Sequence, residues 1–195
     1  MTPTLSQAVY ADREASFFRL RGGYPVPLAG AIWWAALGFL GYRVQPHLWI
    51  FIAFATSGLI FPLAILIAKI VRNNFLHDRT SVSDAMFPTL VSMVMFWPIA
   101  FSAYPTQPAI VPLILAIGMS VGWPVMGWLY GRTALFTTHA IVRAIVVFTL
   151  WNWLPSTRFT LLPLSVSAIY LVTIVALIAT SSEAARARAH AVSPA

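Results

Sequence analysis

Six long runs of apolar residues dominate the chain, and short connections between them carry nearly all of its charge. The runs span residues 25–41, 47–68, 85–104, 108–130, 134–154 and 159–180. A bilayer core about 30 Å thick needs roughly 20 apolar residues per crossing helix. Apolar and polar residues do not alternate within the runs, as they would in a membrane barrel, and backbone groups in lipid must be hydrogen-bonded within their own segment. The pattern predicts an all-α polytopic membrane protein with six transmembrane helices in one bundle.

The two ends of the chain have their own patterns. Thr4-Leu-Ser-Gln7 matches a capping box, and Gly22-Gly23 end the stretch that follows, so we expect a helix over about 5–21. We interpret it as an amphipathic interfacial helix, while a solvated helix or a frayed tail stays open. The predicted division is an N-terminal segment over 1–24, a transmembrane domain over 25–180 and a C-terminal tail over 181–195. In that tail, a short overhang of the sixth helix would give way to disorder through Pro194.

Composition supports the membrane assignment. Of 195 residues, 59% are hydrophobic and only 9% are charged, against about 25% charged in soluble domains. The mean hydropathy is +0.81. The net charge of +7 is spread over connections and tails and forms no stripe, which excludes a nucleic-acid binder along with a soluble or disordered chain.

The distribution of Lys and Arg predicts the orientation. Nine basic residues fall in the tails and the even-numbered connections, namely Arg13, Arg19, Arg21, Lys69, Arg72, Arg79, Arg132, Arg186 and Arg188. Only Arg43 and Arg158 fall on the other side. We therefore expect both termini to be cytoplasmic, with anionic lipid headgroups on the cytoplasmic side as partners.

Glycines and prolines mark where helices pack and bend. The fourth run carries glycines four residues apart, a pattern that lets backbones approach closely: Gly118, Gly122, Gly127 and Gly131. We favour helix packing within the chain over dimerisation for this face. Pro62, Pro98 and Pro124 lie inside runs two, three and four, where each tends to kink its helix.

Arg143 is the one formally charged residue within the six runs. It lies nine residues into run five, about 13 Å along the helix axis and so near mid-membrane, where an Arg costs roughly 2.5–3.5 kcal/mol on insertion scales. His139 lies one turn away on the same face, and no Asp or Glu occurs in any run. The candidate partners of Arg143 are carbonyls at the Pro62 or Pro124 breaks, Trp123 through a cation–π contact, water or an exogenous anion.

These residues suggest a ligand site. In the functional interpretation, Arg143 and His139 form the floor of a cytoplasm-facing cavity, with Trp123, Trp34 and Thr138 beside them. The ligand would be an anion, such as a lipid headgroup or a carboxylate. The alternative is structural: Arg143 bonds backbone carbonyls, and the tryptophans fill gaps around glycines.

Other chemistry finds little support in the sequence. The chain has no Cys, and no helical spacing brings His77, Asp78, Asp84 and His139 together as metal ligands. Ser81-Val-Ser-Asp84 next to His77 has the residue types of a hydrolytic triad, but it fits a helix N-cap better. We expect no metal and no cofactor, and an enzyme is less favoured than a non-enzymatic protein.

Three stretches carry a resemblance to a known family: Leu59-Ile-Phe-Pro-Leu-Ala-Ile-Leu-Ile-Ala68, Gly118-Met-Ser-Val-Gly-Trp-Pro-Val-Met-Gly-Trp-Leu-Tyr130 and Gly23-Tyr-Pro-Val-Pro-Leu-Ala29. From about residue 20 to 180 the chain resembles a bacterial integral-membrane family catalogued as domain of unknown function 7010. The resemblance implies a six-helix inner-membrane protein. It brings no activity, substrate or catalytic residue.

Taken together, these patterns predict a small bacterial inner-membrane protein of binding or transport type with an Arg143-centred site. The alternative is a structural or accessory subunit that packs against a larger complex, and an intramembrane enzyme ranks third. Membrane lipids are the expected partners, a homo-oligomer or a larger membrane complex stays open, and nucleic acid is not expected.

Overall fold

A computed structural model describes residues 4–192, with side chains over 4–86 and 88–182. This part of the chain is helical and contains no strand. We number its ten α-helices in chain order: α1 Leu5–Arg19, α2 Pro25–Leu40, α3 Pro46–Ser57, α4 Ile60–Ile70, α5 Met86–Ser92, α6 Trp97–Ala103, α7 Val111–Gly118, α8 Trp123–Leu129, α9 Thr133–Trp153 and α10 Leu161–Val192.

These helices form five candidate membrane crossings, or six if one bent helix pair counts as a single crossing. Five segments are long and apolar enough to cross: Arg21–Leu40, Ser83–Ala103, Pro108–Leu129, Thr133–Trp153 and Leu161–Ser182. The sixth crossing is the pair α3 and α4, which is bent by 55° at a short break. Large apolar side chains such as Phe51, Ile99 and Val172 are exposed on the outside of the bundle, as expected when lipid is the solvent. The predicted all-helical membrane fold is confirmed, with five to six candidate crossings where we predicted six.

Each of the three prolines inside a run follows a break in its helix. Pro62 is in the first turn of α4, Pro98 in that of α6 and Pro124 in that of α8. A proline has no N–H to donate to the residue four positions before it, and its ring crowds that turn. In the first turn of a new helix neither defect matters. The predicted kinks therefore occur as breaks one turn before each proline.

The first glycine pair lets α7 and α8 approach the preceding crossing. A Cβ on Gly118 would overlap the Phe96 ring, and one on Gly122 would overlap the side chain of Met93. This face therefore contacts another part of the same chain.

The second glycine pair divides between two roles. A Cβ on Gly127 would crowd Phe136 on the next helix, so Gly127 allows α8 and α9 to pack as a tight hairpin. Gly131 has a positive φ of 65°, and the nearest atom that its Cβ would meet is Tyr10 Cε2 at 3.9 Å. Gly131 therefore forms the turn between the two helices rather than a helix–helix contact.

Helix α1 begins at the predicted capping box. The Thr4 backbone N–H donates to Gln7 Oε1 at 2.9 Å, and Gln7 N–H donates back to Thr4 Oγ1 at 3.4 Å. The helix packs on the bundle, because Phe17 is completely buried and Arg13 stacks on the Trp128 ring at 4.2 Å. We call this side of the molecule the α1 end.

Polar contacts attach α1 to two connections at the α1 end. Arg19 Nε donates to Asp78 Oδ1 at 2.8 Å, and Ser16 also bonds this carboxylate. The Ser81 backbone N–H donates to Asp12 Oδ2 at 2.7 Å. Glu14 lies 3.5 Å from the guanidinium of Arg132 in the α8–α9 turn. The N-terminal helix and the second and fourth connections therefore lie on the same side of the bundle.

The last helix is longer than expected. α10 continues to Val192, ten residues beyond the crossing that ends at Ser182, where we expected a short overhang. The predicted disorder around Pro194 concerns a residue outside the described range.

Candidate functional site

Arg143 lies at the middle of the fifth crossing, as the eleventh of the 21 residues of α9. Its side chain is completely buried. Nη1 donates a 2.8 Å hydrogen bond to Tyr170 Oη on α10. The guanidinium carbon lies 5.2 Å from the centre of the Trp34 ring on α2 and 5.1 Å from that of Tyr170, both within cation–π range. Three crossings therefore surround this cation.

A second polar contact joins α9 to α10 one turn away. His139 Nδ1 lies 2.7 Å from Thr173 Oγ1, and the Thr173 hydroxyl donates its only hydrogen to the Ile169 carbonyl at 2.9 Å. Thr173 Oγ1 must then accept from His139, so Nδ1 carries the hydrogen. In the neutral imidazole, Nε2 is therefore a hydrogen-bond acceptor.

Aromatic rings enclose the two contacts. Trp123 on α8 packs against His139 with ring centres 5.2 Å apart and against Tyr170 at 5.6 Å. On the opposite side, Gly30 on α2 gives room to Tyr170, because a Cβ there would lie 3.1 Å from the Tyr170 ring. The cluster is thus assembled by side chains from α2, α8, α9 and α10.

Several buried polar atoms of this cluster have no hydrogen-bond partner among the described residues. They are Arg143 Nε and Nη2, Trp34 Nε1, Trp123 Nε1 and His139 Nε2. Because Nη1 is taken by Tyr170, the two guanidinium atoms left over are those of the Nε–Nη2 edge. That edge presents two parallel N–H groups, the arrangement that binds a carboxylate or phosphate in bidentate fashion.

The cluster contains no compensating negative charge. The chain has only five acidic residues. None falls in α9 or α2, and Glu183 in α10 comes after the crossing that ends at Ser182. Among the described side chains, the acids lie in α1 and in the connection before α5, and Asp12, Glu14 and Asp78 bind groups at the α1 end. Tyr170 is a neutral partner for Arg143. The site is therefore a buried cation with spare donors.

A groove runs between α9 and α10 beside this cluster, with a volume of about 470 Å³. Its walls are mostly apolar, and it is lined by Ala134, Leu135, Thr138, His139, Val142, Ala168, Ile169, Val172, Thr173 and Ala176. The buried His139 and Thr173 form its floor, and exposed residues such as Val142 and Val172 form its rims. Because these rim residues are exposed, the groove is open at the outer surface of the bundle. The cytoplasm-facing cavity that we expected stays a prediction.

A second, much smaller cavity lies at the α1 end. It has a volume of about 10 Å³ and is lined by residues that include Ser16, Leu20, Asp78 and Tyr130. That space suffices for about one water molecule.

The structure distributes the predicted site residues over two places. Arg143, His139, Trp123 and Trp34 come together in the buried cluster. Trp34 stacks on Arg143, whereas Trp123, one of the candidate partners of Arg143, packs against His139. Thr138 is exposed and lines the groove outside the cluster.

Sequence reasoning missed Tyr170 and Thr173, which supply the direct partners of Arg143 and His139. A signal was present: Tyr170 is a tyrosine deep within an apolar run, away from the interfaces where tyrosines gather. Thr173 lies three residues further along and so on the same face.

The metal candidates form no set of ligands among the described residues. His77 bonds the Asn74 side chain at 2.9 Å, and Asp78 bonds Arg19. Over the residues that the structure describes, no three His, Asp or Glu side chains converge.

Comparison with known protein families places the chain in one of them. The model of a family described as "Family of unknown function (DUF7010)" matches residues 13–180. No curated protein and no solved structure matches the chain.

Proposed function

This chain belongs to the DUF7010 family of unknown function, and we propose that it is a membrane protein of binding or transport type that holds an anionic ligand at Arg143. The ligand contributes a planar or tetrahedral oxyanion, such as a carboxylate or a phosphate. It binds near the middle of the bilayer, within the cluster formed by α2, α8, α9 and α10.

The free Nε–Nη2 edge of Arg143 is the observation that carries this proposal. The guanidinium is completely buried, yet only Nη1 has a hydrogen-bond partner among the described residues. A guanidinium whose role was structural would direct all its N–H groups at carbonyls of neighbouring helices. Here the edge suited to bidentate oxyanion binding is the part left unbound.

The energetics support the same ligand chemistry. Removing a charge from water costs several kcal/mol unless it is paired, and each buried donor without an acceptor costs about 1–3 kcal/mol. Arg143, Trp34 and Trp123 all contribute such donors. One oxyanion compensates both the charge and the donors, whereas water compensates only the donors.

The orientation belongs to the same proposal. The α1 end holds α1 and the second and fourth connections, which carry most of the basic residues outside the bundle core. By the positive-inside rule this end faces the cytoplasm, in what we take to be a bacterial inner membrane. Both termini are then cytoplasmic.

Melting curves of the purified protein test the proposal. Acetate and inorganic phosphate are titrated into the parent, Arg143→Leu and Arg143→Lys, with Arg43→Leu as the control because Arg43 is an exposed arginine in a connection. A bound ligand stabilises by RT ln(1 + [L]/Kd), about 2.7 kcal/mol at 100 Kd. The parent and the control should show a saturable rise in melting temperature, and Arg143→Leu should show none. Lysine should retain part of the rise, because it offers a point charge without the fork of donors.

A different result of the same titration would contradict the proposal. If neither anion raises the melting temperature of the parent, and Arg143→Leu is as stable as the parent or more so, then Arg143 is a structural residue. The anion-binding proposal would then be wrong.

A further inference from the structure

We infer that the anion held by Arg143 is the head of a single-chain alkyl carboxylate, which reaches the site sideways from the bilayer through the groove between α9 and α10. This inference rests on the proposed function and specifies its ligand. It assigns a role to the groove, which anion binding by itself leaves unexplained.

The dimensions of the groove fit one alkyl chain. Along α9 it extends from Ala134 to Val142, about 12 Å at 1.5 Å per residue. Its volume of about 470 Å³ falls in the range of roughly 300–1,000 Å³ typical of small-molecule sites. Three alanines, Ala134, Ala168 and Ala176, leave this space between the two helices. A diacyl lipid would need a second groove alongside.

The chemistry of the groove changes from its rim to its floor. The rim residues Val142 and Val172 are exposed and apolar, whereas the floor is the hydrogen-bonded pair His139 and Thr173. One turn beyond that pair lies Arg143. An apolar wall that leads to polar groups and then to an unpaired cation is complementary to an amphiphile with an anionic head.

Access from water is less favourable than access from lipid. Arg143 is near mid-span, about 15 Å from either surface of a 30 Å hydrocarbon core. The cavity at the α1 end holds only about one water and is lined by Ser16 of α1 and by Leu20 directly after that helix. The alkyl chain of an amphiphile already dissolved in the bilayer lies at the depth of the site. Its head reaches Arg143 along the groove and past the contact between His139 and Thr173.

The head group is best matched by a carboxylate. The free edge of Arg143 offers two parallel N–H groups, which pair with the two oxygens of one planar group. The indole N–H groups of Trp34 and Trp123 belong to the same cluster, so further donors are available to the carboxylate oxygens. The aromatic walls formed by Trp34, Trp123 and Tyr170 suit a flat head better than a bulky phosphodiester.

Photolabelling tests the inference directly. Full-length protein in phosphatidylcholine nanodiscs is irradiated with a dodecanoate that carries a diazirine on its chain, and labelled residues are mapped by mass spectrometry. The label should fall on residues 134–142 and 168–176, and unlabelled dodecanoate should compete with it, whereas dodecanol should not. Arg143→Leu should abolish the competed labelling.

A matched pair of variants isolates the groove. Val172 and Val175 are 71% and 67% exposed on the same helix, but only Val172 lines the groove. Val172→Phe should reduce the competed labelling about tenfold by filling the groove, and Val175→Phe should leave it unchanged. Neither residue touches Arg143, so acetate should still stabilise both variants.

The outcomes separate this inference from the proposed function. If acetate stabilises the parent through Arg143 but the label spreads over lipid-facing residues such as Phe51 and Ile99, the groove is not the path and only the inference is overturned. Labelling of the groove that persists in Arg143→Leu, or that dodecanol competes away, would equally overturn it. If neither acetate binding nor labelling depends on Arg143, both the inference and the proposed function fail.

Discussion

Arg143 and Tyr170 join α9 to α10 through a 2.8 Å hydrogen bond at the centre of the bundle. Because Tyr170 Oη accepts from Nη1, the guanidinium is held with its Nε–Nη2 edge unbound. The same tyrosine ring also packs against Trp123 and His139. This single contact therefore orients the cation and fixes the aromatic wall around it.

Tyr170→Phe should destabilise the protein by about 1.5–3 kcal/mol, the range for a hydrogen bond to a charged group. The substitution keeps the ring and its packing but removes the acceptor of Arg143 Nη1. Tyr104→Phe is the control, since Tyr104 is 38% exposed and should change stability by less than about 0.5 kcal/mol. Equilibrium unfolding in detergent without added anion measures both. Equal stability of Tyr170→Phe and the parent would mean that the contact does not hold α9 against α10.

Thr173→Val should destabilise the protein by about 1–3 kcal/mol, because it leaves His139 Nδ1 buried without an acceptor. Thr180→Val on the same helix removes a hydroxyl that bonds only carbonyls of its own helix, and its effect should stay below about 0.5 kcal/mol. Unfolding curves of the two variants provide the comparison. Similar losses of stability in the two variants would show that the contact with His139 adds no stability beyond the hydrogen bond of Thr173 within its own helix.

Gly118→Ala should cost about 1–3 kcal/mol, since the new methyl group overlaps the Phe96 ring and forces the helices apart. Gly58→Ala provides the matched control. Beyond its own chain neighbours, nothing lies within 4 Å of the Cβ that it would add, and its φ is −65°. Alanine there should therefore be neutral or stabilising by up to about 1 kcal/mol. The melting temperatures of the two variants provide the comparison. A Gly118→Ala variant as stable as Gly58→Ala would contradict the close packing of Gly118 against Phe96.

The docking of α1 should weaken in acid. The Ser81 backbone N–H, aided by Arg19, holds the pKa of Asp12 below its ordinary value of 3.8. Because the folded pKa is the lower one, the contribution of Asp12 is complete above about pH 4 and is lost as the pH falls through the folded value. A spin label on Leu5→Cys, at an exposed position of α1, should become more mobile in that range.

Asp12→Asn is the control for this measurement, since asparagine still accepts from Ser81 but does not titrate. The spin label on the Asp12→Asn protein should gain less mobility in acid than the label on the parent. Identical pH profiles in the two proteins would show that Asp12 does not govern the docking of α1.

The proposed orientation can be read by labelling single cysteines in this Cys-free chain. Thr106→Cys and Pro155→Cys, in connections away from the α1 end, should react with an impermeant maleimide in intact cells. Asn74→Cys and Ser182→Cys should react only after permeabilisation. Labelling of Asn74→Cys from outside in intact cells would contradict the proposed orientation.

The crossings could be predicted from the sequence because lipid makes helix formation a local matter. Every backbone group within the bilayer must be bonded inside its own segment, so a long apolar run suffices to define a helix. The breaks before Pro62, Pro98 and Pro124 follow from the missing proline N–H in the same local way, and the start of α1 follows from the capping box. Arg143 could be singled out because a lone charge in such a run is costly wherever the helix faces.

The partners of Arg143 depended on the tertiary structure. Tyr170 is 27 residues from it in sequence, Thr173 is 34 residues from His139, and Trp34 comes from the first crossing. Apolar residues cover every side of these helices, so periodicity does not mark which face turns inward. Contacts such as that of Gly30 with Tyr170 set how the helices rotate and how close they come. That packing brought the cation to Tyr170, docked α1 on the bundle and opened the groove towards lipid.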